Sequence, residues 1–341
     1  MSQNDISLPM GDIPAGPMRP TRLAYLLIDG FALMSYAPVV EPFRAANRLS
    51  GRSLYEWRHY SVSGAPAHAS NGLSVSVDGG VDMMEPADIL FLCAGGNPAL
   101  FQDSRTFDVL RRTARFGTVM GGVSGGPFIL ARAGLLDGFR CTIHWEHEQA
   151  FKETFARPRL ERGLFVVDNK RVTCAGGLAG LDLSAMLIAQ THGSALAGKV
   201  SDWYIQTEQR QASRPQRQSP AQRYRVSHEG LVATLSAMED NVEEPLRRAA
   251  LASAAGLSVR QLERLFRLHL GTSIGGHYLT LRLEKARRLL TETAISVTDA
   301  GVACGFASAG HFSRIFKQHY AVSPSAMRKG DLSWRIADRR N

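Results

Sequence analysis

The apolar positions of the first two hundred residues switch repeatedly between two periods. RLAYLLI (22–28) is an unbroken apolar run that stops at Asp29-Gly30, the pattern of a strand buried on both faces. PVVEPFRAANRL (38–49) follows with helical spacing, which turns Val39, Val40, Phe43, Ala46 and Leu49 toward one side. WRHYSVSG (57–64), ADILFLCAGG (87–96) and TVMGGV (118–123) again read as strands, while TFDVLRRTARF (106–116) and 126–136 read as helices. RLERGLFVVDN (159–169) and RVTCAGG (171–177) read as paired strands before a last apolar helix over 178–198. Strands alternating with helices predict an α/β domain, a parallel sheet sandwiched between helix layers in the flavodoxin-like manner.

QRQASRPQRQSPAQRYR (209–225) ends the alternation: it is Gln, Arg, Ser and Pro with almost nothing apolar, so it cannot build a core of its own. Beyond it the pattern is helical only. The expected organisation is a Pro/Gly-rich disordered tail over 1–20, the α/β domain over 21–200, a linker over 201–226, an all-α domain over 227–330 and a basic tail over 331–341. Charge follows the same division. From Asp202 onward 21 Lys/Arg face 13 Asp/Glu, whereas the first 201 residues hold 19 against 18. A neutral front and a basic back point to nucleic acid at the C-terminal end.

The back half repeats itself. AAGLSVRQLERLFRLHLGTS (254–273) and ACGFASAGHFSRIFKQHYAVS (303–323) match at Gly256/Gly305, and at Arg264/Arg314, Leu265/Ile315, Phe266/Phe316, Arg267/Lys317, His269/His319 and Ser273/Ser323. The offset grows from 49 to 50 because the second copy has one extra residue in its turn. Each copy reads as helix, glycine turn, helix, so one supersecondary unit is used twice. In the second helix of the first copy, Leu262, Leu265, Phe266 and His269 share the expected inner face, leaving Arg260, Glu263, Arg264 and Arg267 outside. In the second copy Phe312, Ile315, Phe316 and Tyr320 should face inward, and His311, Ser313, Arg314 and Lys317 outward. Such a helix fits a major groove, and its early arginines can contact guanine bidentately. SIGGHYLTLRLEKARRLLTET (273–293), largely a basic amphipathic helix, joins the copies.

One motif belongs to different chemistry. Gly122-Val123-Ser124-Gly125-Gly126 fits G-x-S-x-G, a strand-to-helix turn that presents a serine hydroxyl. A hydrolase of that fold would need an acid and then a histidine far downstream. Asp168 or Asp182 with His192 has that order, but nothing around His192 resembles a catalytic loop. Catalysis is therefore not expected at this degenerate elbow. The turn still aims backbone N–H groups at one point, where an anion is favoured, and Gly95-Gly96 offers a second set. The candidate ligand-binding residues are Gly95, Gly96, Ser124, Gly125, His144 and Trp145.

The tandem unit over 229–329 resembles the DNA-binding domain of the AraC/XylS family of transcription regulators, most specifically in ACGFASAGHFSRIFKQHYAVSPSAMRK (303–329). The strand, GGVSGG elbow, helix ending AGLLDG (133–138) and CTIHW (141–145) resemble the PfpI/class I glutamine-amidotransferase-like superfamily over about 22–200. The fusion of the two is similar to GlxA-type regulators. In enzymes of the amidotransferase-like superfamily the elbow residue is cysteine, with a histidine after the elbow helix and often an acid after the first strand. Here those positions hold Ser124, His144 and Ala32, so the easily ionised thiol and the acid are both missing.

FALMSYAPVVEPFRAANRLSGRSLYEWRHYS (31–61) and CTIHWEH (141–147) are similar to regulators of amino-acid and quaternary-amine catabolism. That resemblance implies a small carboxylate inducer such as an amino acid or betaine, with Phe31, Tyr36, Trp57 and Trp145 as a cation–π wall. The implied function is a cytoplasmic transcription regulator, not an enzyme, that binds double-stranded operator DNA and a small-molecule inducer, works as a homodimer and contacts RNA polymerase. Two alternatives stay open: a serine hydrolase or amidase using Ser124, or a front domain that only dimerises. No cofactor, metal or membrane is called for: Cys93, Cys141, Cys174 and Cys304 have no metal-ligand spacing, and no run of 18 apolar residues exists.

Overall fold

The computed structural model describes residues 19–293 and 295–329, so the N-terminal tail and the basic tail expected from the sequence lie almost wholly outside the described residues. The chain divides into two compact units, residues 1–216 and 217–341.

The first unit is built on a seven-stranded sheet in the order β10-β11-β7-β6-β1-β2-β5. The strands are β1 (Thr21–Leu27), β2 (Tyr55–Ser61), β5 (Gly79–Gly80), β6 (Ile89–Ala94), β7 (Val119–Ser124), β10 (Phe165–Asp168) and β11 (Arg171–Cys174). All neighbours pair in parallel except β10 with β11. Two small pairs stand apart, β3 (Ala67–His68) with β4 (Ser74–Val75) and β8 (Arg140–Cys141) with β9 (Arg159–Leu160). Because both faces are covered, successive residues of β1 enter opposite cores. Leu23, Tyr25 and Leu27 pack under α1 (Leu33–Ser50), α5 (Ala179–His192) and α6 (Ser194–Trp203). Ala24, Leu26 and Ile28 pack under α2 (Ser104–Arg115), α3 (Gly126–Arg132) and α4 (Glu148–Thr154).

Helix α1 starts five residues earlier than its apolar spacing suggests and contains Pro38 and Pro42. Pro42 has no N–H for the carbonyl of Pro38, and the Ser184 hydroxyl of α5 donates to that carbonyl instead at 3.2 Å. The single apolar helix expected over 178–198 is in fact two. Gly193, at φ 87° and ψ 157°, takes a conformation that only glycine adopts readily and breaks α5 from α6.

The second unit is all helical: α7 (Pro220–Tyr224), α8 (Glu229–Asp240), α9 (Arg248–Ala254), α10 (Val259–Leu270), α11 (Ile274–Glu292), α12 (Val297–Val302), α13 (Ala309–Tyr320) and α14 (Pro324–Arg328). It has two separate cores, one per repeat. Leu251, Leu262, Leu265 and Phe266 lie in the first, and Ala300, Phe306, Phe312 and Phe316 in the second. Helix α11 belongs to both: Ile274 and Tyr278 enter the first, and Leu283, Ala286, Leu289 and Leu290 enter the second. That sharing makes α11 a common beam between the two helix-turn-helix units.

Candidate DNA interface and elbow site

The second helix of each helix-turn-helix unit, α10 or α13, begins on a serine cap. The Ser258 hydroxyl accepts from the Gln261 amide while the Gln261 side chain returns to Ser258, and the Ser308 hydroxyl accepts from His311. The turns before them need left-handed glycine, at Gly256 (φ 65°) and Gly305 (φ 74°). Behind the second turn, the Arg282 guanidinium of α11 donates to the carbonyls of Cys304 and Gly305, both at 2.7 Å, and lies 4.0 Å over the Phe306 ring. The common beam thus grips the second turn directly.

Arg260, Arg264 and Arg267 on α10, and His311, Arg314 and Lys317 on α13, are exposed as expected. Three placements differ. His269, expected inside, is exposed, because α10 closes its core with Phe266 and the half-buried Leu270. Glu263 and Ser313, expected outside, are half-buried. They occupy the same repeat position, three residues before Phe266 and Phe316, and so border the inner face in both copies. The Glu263 carboxylate bends back toward Arg267, one oxygen lying 3.7 Å from its Nε.

The elbow forms at the carboxyl ends of the parallel strands. Ser124 ends β7 at φ 60°, a strained conformation for a residue with a side chain, and is 6% exposed. The ends of β1, β6 and β11 close around it. A Cβ on Gly95 would lie 2.7 Å from the Gly30 carbonyl oxygen, and one on Gly176 would lie 2.7 Å from both the Ser124 Cβ and the Ser35 Oγ. The His144 amide donates to the Ser124 carbonyl at 3.2 Å, which brings His144 and Trp145 beside the elbow. Ser124, His144, Trp145 and Gly95 therefore converge. Ser35 and Gly176 join them, and neither was picked out from the sequence. The CAGG end of β11 carried a signal for Gly176, since it has the same strand-then-glycine-pair form as CAGG at Gly95-Gly96. Nothing local marked Ser35.

Several expectations at the elbow are corrected. The Gly125 amide is spent on the Ala94 carbonyl at 2.9 Å, because the β6–β7 ladder runs one residue past the strand ends. Pro127 has no amide, and that of Phe128 goes to the Gly125 carbonyl at 3.0 Å. The first turn of α3 thus has fewer donors to offer an anion than the glycine pattern suggested. The four-ring wall does not assemble either. Phe31 is fully buried core, the Tyr36 hydroxyl lies 2.8 Å from His59 Nε2, and Trp57 sits on β2, three strands from β7.

The hydrolase geometry is also missing. Asp182 and His192 stand at opposite ends of α5, about 15 Å apart by helix rise. The Asp182 carboxylate is fully buried, its Oδ2 accepting from both Nε and Nη2 of Arg210, while Asp168 accepts from the Arg140 amide. At His144, Nδ1 lies 3.4 Å from the Glu146 amide and accepts from it, so that nitrogen is engaged within its own loop. Burial, then neighbouring His147, hold the imidazole below its usual pKa. The thiols of Cys141 and Cys174 are pushed up to about 12 by burial and stay protonated.

Among the described residues no group of three His, Cys, Asp or Glu could hold a metal ion, and no helix is long and apolar enough to cross a membrane.

The DJ-1/PfpI family matches residues 23–190, and a helix-turn-helix domain family matches 251–330. The HTH-type transcriptional regulator GlxA of Rhizobium meliloti (strain 1021) is 43% identical over 90% of this chain and 95% of its own length. The chain belongs to the GlxA-type family of AraC/XylS transcription regulators. Two further members similar to it are the HTH-type transcriptional regulators CdhR and GbdR of Pseudomonas aeruginosa. They are 42% and 37% identical, over 88% and 93% of this chain and 89% and 87% of their own lengths. For the fold alone, a ThiJ/PfpI family protein from Pseudomonas syringae gives a TM-score of 0.50 at 20% identity over 75% of this chain and 98% of its own. The fold is therefore a DJ-1/PfpI-like α/β domain joined to an AraC-type helix-turn-helix domain, and the protein is a DNA-binding transcription regulator rather than an enzyme.

Proposed function

We propose that this GlxA-type regulator senses a small carboxylate, an amino acid or a betaine, at its elbow, and reads operator DNA with α10 and α13. The observation that carries the sensing half is the convergence of Ser124, the Ser35 hydroxyl, Gly95, Gly176 and the His144-Trp145 loop at the carboxyl edge of the sheet, where open α/β sheets hold their ligands. A near-neutral imidazole, two hydroxyls and the Gly95-Gly96 amides suit a carboxylate, and the Trp145 face suits an alkylammonium. In this reading the elbow serine binds and does not react. The regulator works in the cytoplasm as a homodimer that contacts RNA polymerase.

The test is a thermal-shift screen of the full chain against amino acids, glycine betaine, carnitine and small carboxylates. At a ligand concentration about 100 times Kd the expected gain is about 2.7 kcal/mol, a rise of several degrees in Tm for the α/β unit. Ser124→Ala should reduce it. No shift from any compound would leave the front domain as a dimerisation module.

For the DNA half, Arg264→Ala and Arg314→Ala should each weaken binding to a selected operator roughly 10- to 100-fold, about 1–3 kcal/mol, and weaken binding to random DNA far less. Equal losses on both, in gel shifts at one salt concentration, would place these arginines on phosphates instead of bases.

A further inference from the structure

The last eleven residues of the α/β unit, 206–216, have the composition of a loose connector, yet they are fastened to it along their length. Asp182, fully buried in the first turn of α5, takes the near end. Its Oδ1 accepts from Gln206 Nε2 at 2.7 Å and from the Arg210 amide at 2.8 Å, and its Oδ2 from Arg210 Nη2 at 2.6 Å. In the middle, the Ala212 carbonyl accepts from the Leu164 amide at 2.7 Å. The backbone approach there is close enough that a Cβ on Gly163 would lie 2.5 Å from the Ala212 oxygen. At the far end the Gln216 side chain uses both its groups. Oε1 accepts from the Trp145 amide at 2.8 Å, and Nε2 is within reach of the carbonyls of Gly163 at 2.8 Å and Ile143 at 2.9 Å and of Thr142 Oγ1 at 3.1 Å.

The placement of that last fastening is what matters. The His144 amide donates to the carbonyl of Ser124, and the next amide, Trp145, donates to Gln216. Two consecutive amides of one loop therefore hold the elbow on one side and the final residue of the α/β unit on the other. The following residue, Arg217, opens the DNA-binding unit. A ligand that shifts the His144-Trp145 loop has to stretch or release the Gln216 bonds, because the two attachments share a single peptide link.

We propose that residues 206–216 are a signalling strap: Gln216 reads the elbow through Trp145 and carries its state into the DNA-binding unit. This inference rests on the elbow being the sensing site. Gln216 is then a positioning residue that touches neither ligand nor DNA.

The experiment uses the full chain and two variants. Gln216→Ala removes all four contacts. Gln216→Glu keeps the shape and the acceptor, but its carboxylate cannot donate to the carbonyls of Ile143 and Gly163. Limited trypsin digestion read by mass spectrometry follows cleavage between Arg217 and Gln218, at the end of the strap. Pull-down of genomic fragments by wild type supplies a DNA probe, and gel shifts give each variant's affinity for it. Both variants should be cut roughly tenfold faster at this site, with the Tm of the α/β unit moved by no more than about 2 °C, as expected for a local opening. Hydrogen exchange at the Trp145 amide should rise in parallel, and affinity for the probe should change by roughly fivefold or more.

Unchanged cleavage would show that Gln216 fastens nothing, and faster cleavage at constant DNA affinity would reduce the strap to packing. Either overturns the inference. If wild type selects no fragment, the regulator reading itself fails and the inference falls with it. If wild type selects DNA but no compound in the thermal-shift screen binds, the elbow reading fails, while the cleavage and affinity results still decide whether the strap transmits.

Discussion

Gly305→Ala is expected to cost about 3 kcal/mol and to lower affinity for a specific operator by roughly 100-fold. Two independent penalties add at this turn. The backbone is left-handed at φ 74°, which a residue with a Cβ adopts at a cost of about 1–2 kcal/mol. The added methyl would also lie 2.6 Å from Pro245 Cδ and 2.8 Å from the Glu243 carbonyl oxygen, so a backbone segment must move. The Arg282 grip on the Gly305 carbonyl would then misplace the second recognition helix. Gly256→Ala is the internal control. It has the same left-handed turn, φ 65°, but open space around the missing Cβ, and should cost only about 1 kcal/mol. Thermal melts of both variants with gel shifts at fixed salt would measure the difference. Equal losses at the two glycines would mean that crowding at Gly305 is relaxed for free.

Gly126→Ala at the elbow should be more damaging still, about 4 kcal/mol or more out of the 5–15 kcal/mol by which a domain of this kind is stable. The missing Cβ points at the backbone of β6, 2.1 Å from the Leu92 oxygen and 3.1 Å from its carbonyl carbon. Neither can yield, since Leu92 lies in a central strand paired with both β1 and β7. The α/β unit should melt many degrees earlier or fail to accumulate, while the helical unit keeps its own core. Gly134→Ala, at φ 75° with nothing near its Cβ, should lose only about 1 kcal/mol. A Tm for Gly126→Ala within about 2 °C of wild type would falsify the close approach of elbow and strand.

How far the chain was legible follows from what each element depends on. The strands and helices were readable because burial on one or both faces writes a period of 2, an unbroken run or a period of 3.6 into neighbouring residues. The tandem repeat gave Phe266/Phe316 and Arg264/Arg314 their inside and outside places twice over. Where reading failed, the deciding partner was distant in the chain. Composition made 209–225 a free linker, but buried Asp182 holds Arg210 from 28 residues away, and Trp145 meets Gln216 from 71. The glycines of the elbow suggested open amides, but the ladder to Ala94 consumes that of Gly125.

By itself, then, the sequence determined the two domain types, the doubled helix-turn-helix, the arginines that face outward and a serine elbow stripped of the groups that would make it react. These depend on local period, charge and the identity of a few residues. Tertiary structure alone decided that Ser35 and Gly176 close the elbow, that Arg282 grips the second turn and that Gln216 ties the end of the α/β unit to the loop beside Ser124. Those contacts are hydrogen bonds and close approaches between segments far apart in the chain, which leave no spacing or composition for a sequence to display.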